Sequence, residues 1–128
     1  MDDRNLVAVA EQAACTSRVR RGVREGATIQ SDDGRVFLGC RLEFSDPALD
    51  QDAIANGLAA GRVAGMRRVV RIGFYSPVAE GLPGIPETTL RRLKELAAPG
   101  LGVILSSGGG ERVERNLQEL LSLAESPV

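Results

Sequence analysis

The chain has 128 residues, enough to bury one core and to form one domain over residues 1–128. Hydrophobic residues at 43% and charged residues at 26% exclude a disordered chain, and a net charge of −1 gives no general attraction to nucleic acid or an anionic membrane, so neither is expected as a partner. There is no histidine, which removes the commonest zinc ligand and general base and excludes Ser-His-Asp or Cys-His catalysis within one subunit.

Taken in chain order, Met1-Asp2-Asp3-Arg4 is acidic and fits neither a signal peptide nor a membrane span; the expected location is the cytoplasm, with Cys15 and Cys40 as free thiols. Asp3 is predicted to cap a helix running to about Thr16, with Leu6, Val7, Ala10 and Ala14 near helical spacing. The arginine-rich stretch Ser17 to Gly22 reads as a solvated loop. Arg18, Arg20, Arg21 and Arg24 form one group of arginines and Arg67, Arg68 and Arg71 a second, while Lys94 is the only lysine. A GC-rich genome explains that bias, and so does bidentate recognition of an anion if the guanidinium groups converge. Val23 to Gln30 reads as a strand, Asp32-Asp33-Gly34 as a tight turn and Arg35 to Glu43 as the return strand of a hairpin. Ser45-Asp46-Pro47 breaks that strand, and an alanine-dense helix follows from about Asp50 to Ala64, stopped by Gly65. Arg67 to Tyr75 has the composition of a buried strand. Residues 76–86 form an irregular loop with Pro77, Pro83 and Pro86, the last suited to the first turn of a helix that continues from Thr88 to Leu96. Leu101 to Ser106 reads as a short strand, Gly108-Gly109-Gly110 as a turn, Arg112 or Val113 as the start of a last strand, and Asn116 to Ala124 as an amphipathic helix. A hairpin followed by alternating strands and helices predicts an α/β fold, with a mixed sheet of about five strands and helices on both faces.

Several of these segments resemble the small cytidine deaminases. Glu25-Gly26-Ala27-Thr28-Ile29 is similar to the V-G-A-A-L first strand of that family, and residues 33–43 (DGRVFLGCRLE) to its D-G-K-V-y-x-G-C-N-I-E second strand. Leu101 to Ser106 resembles its V-I-V-V-L-T-N strand, and residues 117–121 its V-E-E-L-L-P end, so the likeness spans roughly residues 20–122. It implies a three-layer α/β/α domain, and a homodimer or homotetramer with pockets near subunit contacts.

The catalytic motifs of that family are where the chain departs. The family places C-A-E and P-C-x-x-C at the starts of two helices, the cysteines holding zinc and the glutamate moving protons. Here Asp52-Ala53-Ile54 and Ile85-Pro86-Glu87-Thr88-Thr89 stand over those motifs, so the ligand positions carry Asp52, Pro86 and Thr89 and the shuttle position Ile54. Proline has no side-chain donor atom and isoleucine transfers no proton, so the resemblance implies a chain without a zinc cofactor and without zinc-dependent deamination; no other cofactor is indicated. The sugar-contacting N-I-E of the family appears as Arg41-Leu42-Glu43, in which Glu43 is suited to a hydroxyl and Arg41 to a carboxylate or phosphate; both also read as ordinary strand-end residues. Cys40 aligns with a family cysteine that binds no metal and reads as a small buried residue.

Three functions follow from these residues. The first is a pseudoenzyme, a ligand-binding or regulatory subunit that assembles with itself or with an active deaminase-like paralogue. The second is a metal-free enzyme of small-molecule metabolism, with Asp52 and Glu87 as acid/base carboxylates and Arg24, Arg41, Glu43 and Tyr75 around a small polar or anionic ligand. The third is an oligomerisation module. Asp46, Asp50, Asp52 and Glu43 admit a hard-cation or acid/base reading, but first-turn carboxylates also serve the helix dipole alone.

Overall fold

The computed structural model describes residues 1–78 and 81–125. In chain order the elements are α1 (Asp3–Ala14), β1 (Gly26–Ser31), β2 (Val36–Cys40), a short 3₁₀ turn (Pro47–Leu49), α2 (Ala53–Val63), β3 (Val69–Tyr75), α3 (Glu87–Leu96), β4 (Ala97–Ser106), β5 (Arg112–Asn116) and α4 (Leu117–Glu125). The strands form one five-stranded sheet in the order β2-β1-β3-β4-β5. β1 runs antiparallel to both β2 and β3, β3 and β4 are parallel through the α3 crossover, and β5 returns antiparallel to β4. This is the expected mixed α/β sheet with helices on both faces.

The period-two alternation of the strands decides which helix each residue meets. Ala27 and Ile29 of β1, Ile72 and Phe74 of β3, and Val103 and Leu105 of β4 join Ile54, Leu58, Leu90 and Leu93 in the main core, on the face covered by α2, α3 and α4. The intervening residues face α1: Thr28 donates its hydroxyl to the Leu6 carbonyl at 2.8 Å, and Ile104 packs on Leu6 and Val7. Glycine allows both helices to lie close. A Cβ on Gly26 would stand 1.9 Å from the Ala10 carbonyl of α1, and one on Gly39 would stand 2.1 Å from the Ala53 carbonyl of α2.

Side chains rather than sequence periodicity set the helix ends. Asp2, not Asp3, caps α1 by accepting the Asn5 N–H at 2.8 Å, and the helix closes at Ala14 before Thr16. Asp52 caps α2 by accepting the Ala55 N–H at 3.1 Å, so the helix begins at Ala53, three residues after the expected start at about Asp50. α4 opens on a reciprocal pair in which Asn116 Oδ1 accepts from the Glu119 N–H and Glu119 Oε1 from the Asn116 N–H.

The expected strand from Leu101 is the regular part of β4; upstream the ladder slips from Val69 opposite Ala97 to Arg71 opposite Gly102. β1 starts at Gly26 rather than Val23, and β2 ends at Cys40 rather than Glu43. Cys40 is half-buried, not buried. Residues 79 and 80 of the expected irregular 76–86 segment lie outside the described residues, as do residues 126–128. No described helix is long and apolar enough to cross a membrane.

Candidate functional site

The starts of α2 and α3 lie side by side. Asp52 uses one carboxylate oxygen to cap α2, and the other accepts the Thr89 hydroxyl at 2.7 Å. Thr89 is fully buried in the first turn of α3, which begins after Pro86 without a side-chain cap. Ile54, the second residue of α2, is also fully buried and belongs to the main core. Outside this contact, α2 and α3 border a cleft of about 740 Å³ whose wall includes Arg41, Asp50, Asp52, Asn56, Pro86 and Arg92.

A second set of polar residues converges at the open end of the β1–β2 hairpin. Glu43 is buried, and its carboxylate accepts the main-chain N–H groups of Arg20, Arg21 and Gly22, at 2.6 Å from the first two, together with Nε of Arg41 at 2.8 Å. The Arg21 N–H first, then the Arg41 guanidinium and the Arg20 N–H, hold the Glu43 carboxyl far below the usual carboxylate range. A Cβ on Gly22 would stand 2.6 Å from a Glu43 oxygen, so a side chain there would displace the carboxylate. The same loop pairs with the strand end through Arg18 N–H to the Arg41 carbonyl and Glu43 N–H to the Arg18 carbonyl, and Ser17, itself buried, donates its hydroxyl to the Arg41 carbonyl. The loop is solvated as expected, with Arg18 and Arg20 to Gly22 exposed, while its backbone is fastened to a buried carboxylate.

Arg41 stands among three acids: Glu43, Asp50 at 3.7 Å and Glu25 at 4.0 Å. Asp50 is also paired with Arg21, whose guanidinium holds the Asp50 carboxyl down. Glu25 behaves in the opposite way. Burial raises its carboxyl above the ordinary value, opposed by a hydrogen bond from the Ser76 hydroxyl at 2.8 Å and by the charge of Arg41. Sequence reasoning did not single out Glu25 or Ser76. They stand one residue before β1 and one after β3, and only the pairing of those strands brings them together.

The six sequence-derived site residues therefore divide. Arg41 and Asp52 share the cleft, and Glu43 lies behind it, engaged with the loop. Arg24 and Tyr75 border a separate groove along α1, with Glu11, Gln12, Cys15 and Pro77. Glu87 is exposed at the start of α3, with no hydrogen bond or ion pair from its side chain to any described residue.

This sheet order, with one helix on one face and the paired α2 and α3 starts on the other, is the cytidine deaminase fold. A cytidine deaminase from Burkholderia pseudomallei superposes with a TM-score of 0.85 at 23% identity, over 94% of this chain and 96% of that one. Those of Mycobacterium tuberculosis (TM-score 0.76, 24% identity, 94% of each chain) and Mycobacterium leprae (0.74, 20%, 94% and 98%) share it too. The sequence matches no family model and no curated protein significantly.

A catalytic zinc needs three protein donors and an open position. At the paired helix starts Asp52 has both oxygens engaged within the chain, Thr89 is its donor, and Pro86 offers no side-chain atom. Among the described residues no group of three or more His, Cys, Asp or Glu side chains is arranged to hold a metal ion. The residues present do not fit the group.

Proposed function

We propose that this chain is a cytidine-deaminase-fold pseudoenzyme of the cytoplasm: a ligand-binding or regulatory subunit that does not deaminate, and that assembles with itself or with an active deaminase-like paralogue. The observation that carries this reading is the Asp52–Thr89 hydrogen bond, which joins two of the three ligand positions to each other. With Ile54 in the core, the shuttle position contributes apolar packing in place of a proton-transferring group. The polar cleft beside them supports a retained binding role, since it is wide enough for a small polar molecule.

The metal-free enzyme reading draws less support. Glu87 stands exposed and apart from Asp52, and Arg41 is already compensated by three carboxylates, so an anion there would have to displace them. Native mass spectrometry of the protein purified without chelator, paired with an ammonia-release assay on cytidine, tests the proposal. The expected result is subunits without stoichiometric zinc and no turnover. Stoichiometric zinc held by a single subunit, or deamination above background, would overturn it.

A further inference from the structure

We propose that the Ser17–Arg24 loop carries a phosphate-binding site, in which the guanidinium groups of Arg18, Arg20 and Arg24 take the oxygens of one phosphate group. This site is independent of what became of the zinc chemistry.

Arg18, Arg20 and Arg24 line one cavity of about 280 Å³, with Ser17, Val19 and Glu43 as the rest of its wall. None of the three guanidinium groups makes a hydrogen bond or ion pair with a described residue. Arg21 of the same loop does, reaching Asp50 and the Phe44 carbonyl, so the loop separates one structural arginine from three uncommitted ones. The one acid in the wall is held by other groups: Glu43 is bound by three main-chain N–H groups and by Arg41. A phosphate entering the cavity therefore meets three cations and a carboxylate whose oxygens are already engaged by hydrogen bonds.

The backbone under these side chains is held before any ligand arrives. Arg20 is anchored through its own N–H on Glu43, and Arg18 through main-chain hydrogen bonds on both sides, to Arg41 and Glu43. Fixing the backbone in advance lowers the ordering cost of binding. Guanidinium suits the task, because its fork gives paired N–H bonds to phosphate oxygens and it stays charged at any accessible pH. The deaminase-like cleft is the poorer anion site, since its Arg41 is shared among three carboxylates. Arg24 also borders the groove that holds Tyr75 and Pro77, which gives the body of a phosphorylated ligand a partly aromatic wall.

The test is isothermal titration of the full chain with inorganic phosphate, pyrophosphate and cytidine 5′-monophosphate, with cytidine as control, at constant ionic strength set with chloride. Saturable binding of at least one phosphate compound and none of cytidine is expected. Arg20→Gln and Arg24→Gln should each weaken it about tenfold, the loss of one charge-assisted contact. Arg20→Lys, which keeps the charge and loses the fork, should fall between parent and Arg20→Gln, and Arg67→Gln should bind as the parent does. These side chains are exposed, so the variants should melt with the parent; where a glutamine variant does not, the lysine variant at that position carries the comparison. Equal affinity for phosphate and the monoester assigns the site to the free ion, and tighter monoester binding assigns it to a phosphorylated ligand. No saturable binding by any phosphate compound, or a loss that Arg67→Gln reproduces, would overturn the proposal.

Discussion

At the scale of single residues, buried Glu43 and half-buried Glu25, both at the hairpin end, respond to pH with opposite sign. Glu43 has its folded carboxyl far below the ordinary value of 4.5, because three N–H groups and Arg41 stabilise the charged form. Its contribution to stability is complete above that ordinary value and is lost as pH falls toward the folded one. Glu25 is raised by burial, so it costs stability at neutral pH and the cost vanishes as pH falls below 4.5. Glu43→Gln should therefore lower the melting temperature at pH 7 by about 5–10 °C, with the gap closing in acid. Glu25→Gln should melt at or above the parent at pH 7 and converge with it in acid. Thermal melts between about pH 3 and pH 8 read both. Sequence offered no route to this contrast. Both residues are glutamates near strand ends, and what separates them is the loop backbone that donates three N–H groups to one and the burial that outweighs the single Ser76 hydroxyl at the other.

At the scale of elements, the joints are backbone contacts and caps. Gly39 has the carbonyl of Ala53 and the N–H of Gly57 where a side chain would begin, at 2.1 and 2.4 Å. Gly39→Ala must push α2 off β2, and main chain yields less readily than the tip of a side chain. A loss of about 3 kcal/mol or more is expected from urea unfolding. Asp52 joins two helices at once, so Asp52→Ala should cost about 1–2 kcal/mol by the same measurement, while Asp52→Asn, which keeps a capping oxygen, should cost less. The existence and order of the elements were legible, because the apolar composition of β3 and the alanine density of α2 are local properties. Their ends were less so. Whether Asp2 or Asp3 caps α1, or Asp50 or Asp52 opens α2, depends on which side chain reaches an unpaired N–H, and adjacent aspartates look alike in sequence.

At the scale of the whole molecule, β3 and β4 are paired on both sides, with α1 over one face of the sheet and α2 to α4 over the other. β5 is an edge, with Arg112, Glu114, Arg115 and Asn116 among its five residues, a composition that discourages further strand pairing. Hydrogen exchange should therefore be slowest in the 71–75 and 102–105 segments and fastest among the strands in β5. Comparable protection of β5 in dilute solution would mean that its edge is covered by another chain.

The sequence by itself determined the α/β class, the hairpin followed by alternating strands and helices, and the absence of Cys and His at Asp52, Pro86 and Thr89, because composition, periodicity and residue identity are carried locally. Only the tertiary structure decided that Asp52 and Thr89 bond to each other, that Arg24 and Tyr75 border a different groove from Arg41, and that Glu43 is held inside an arginine loop. Those outcomes depend on strand pairing and helix approach, which join residues such as Glu25 and Ser76 across 51 positions. Through-space partners of that kind set a carboxylate's protonation and an arginine's freedom, and no local pattern records them.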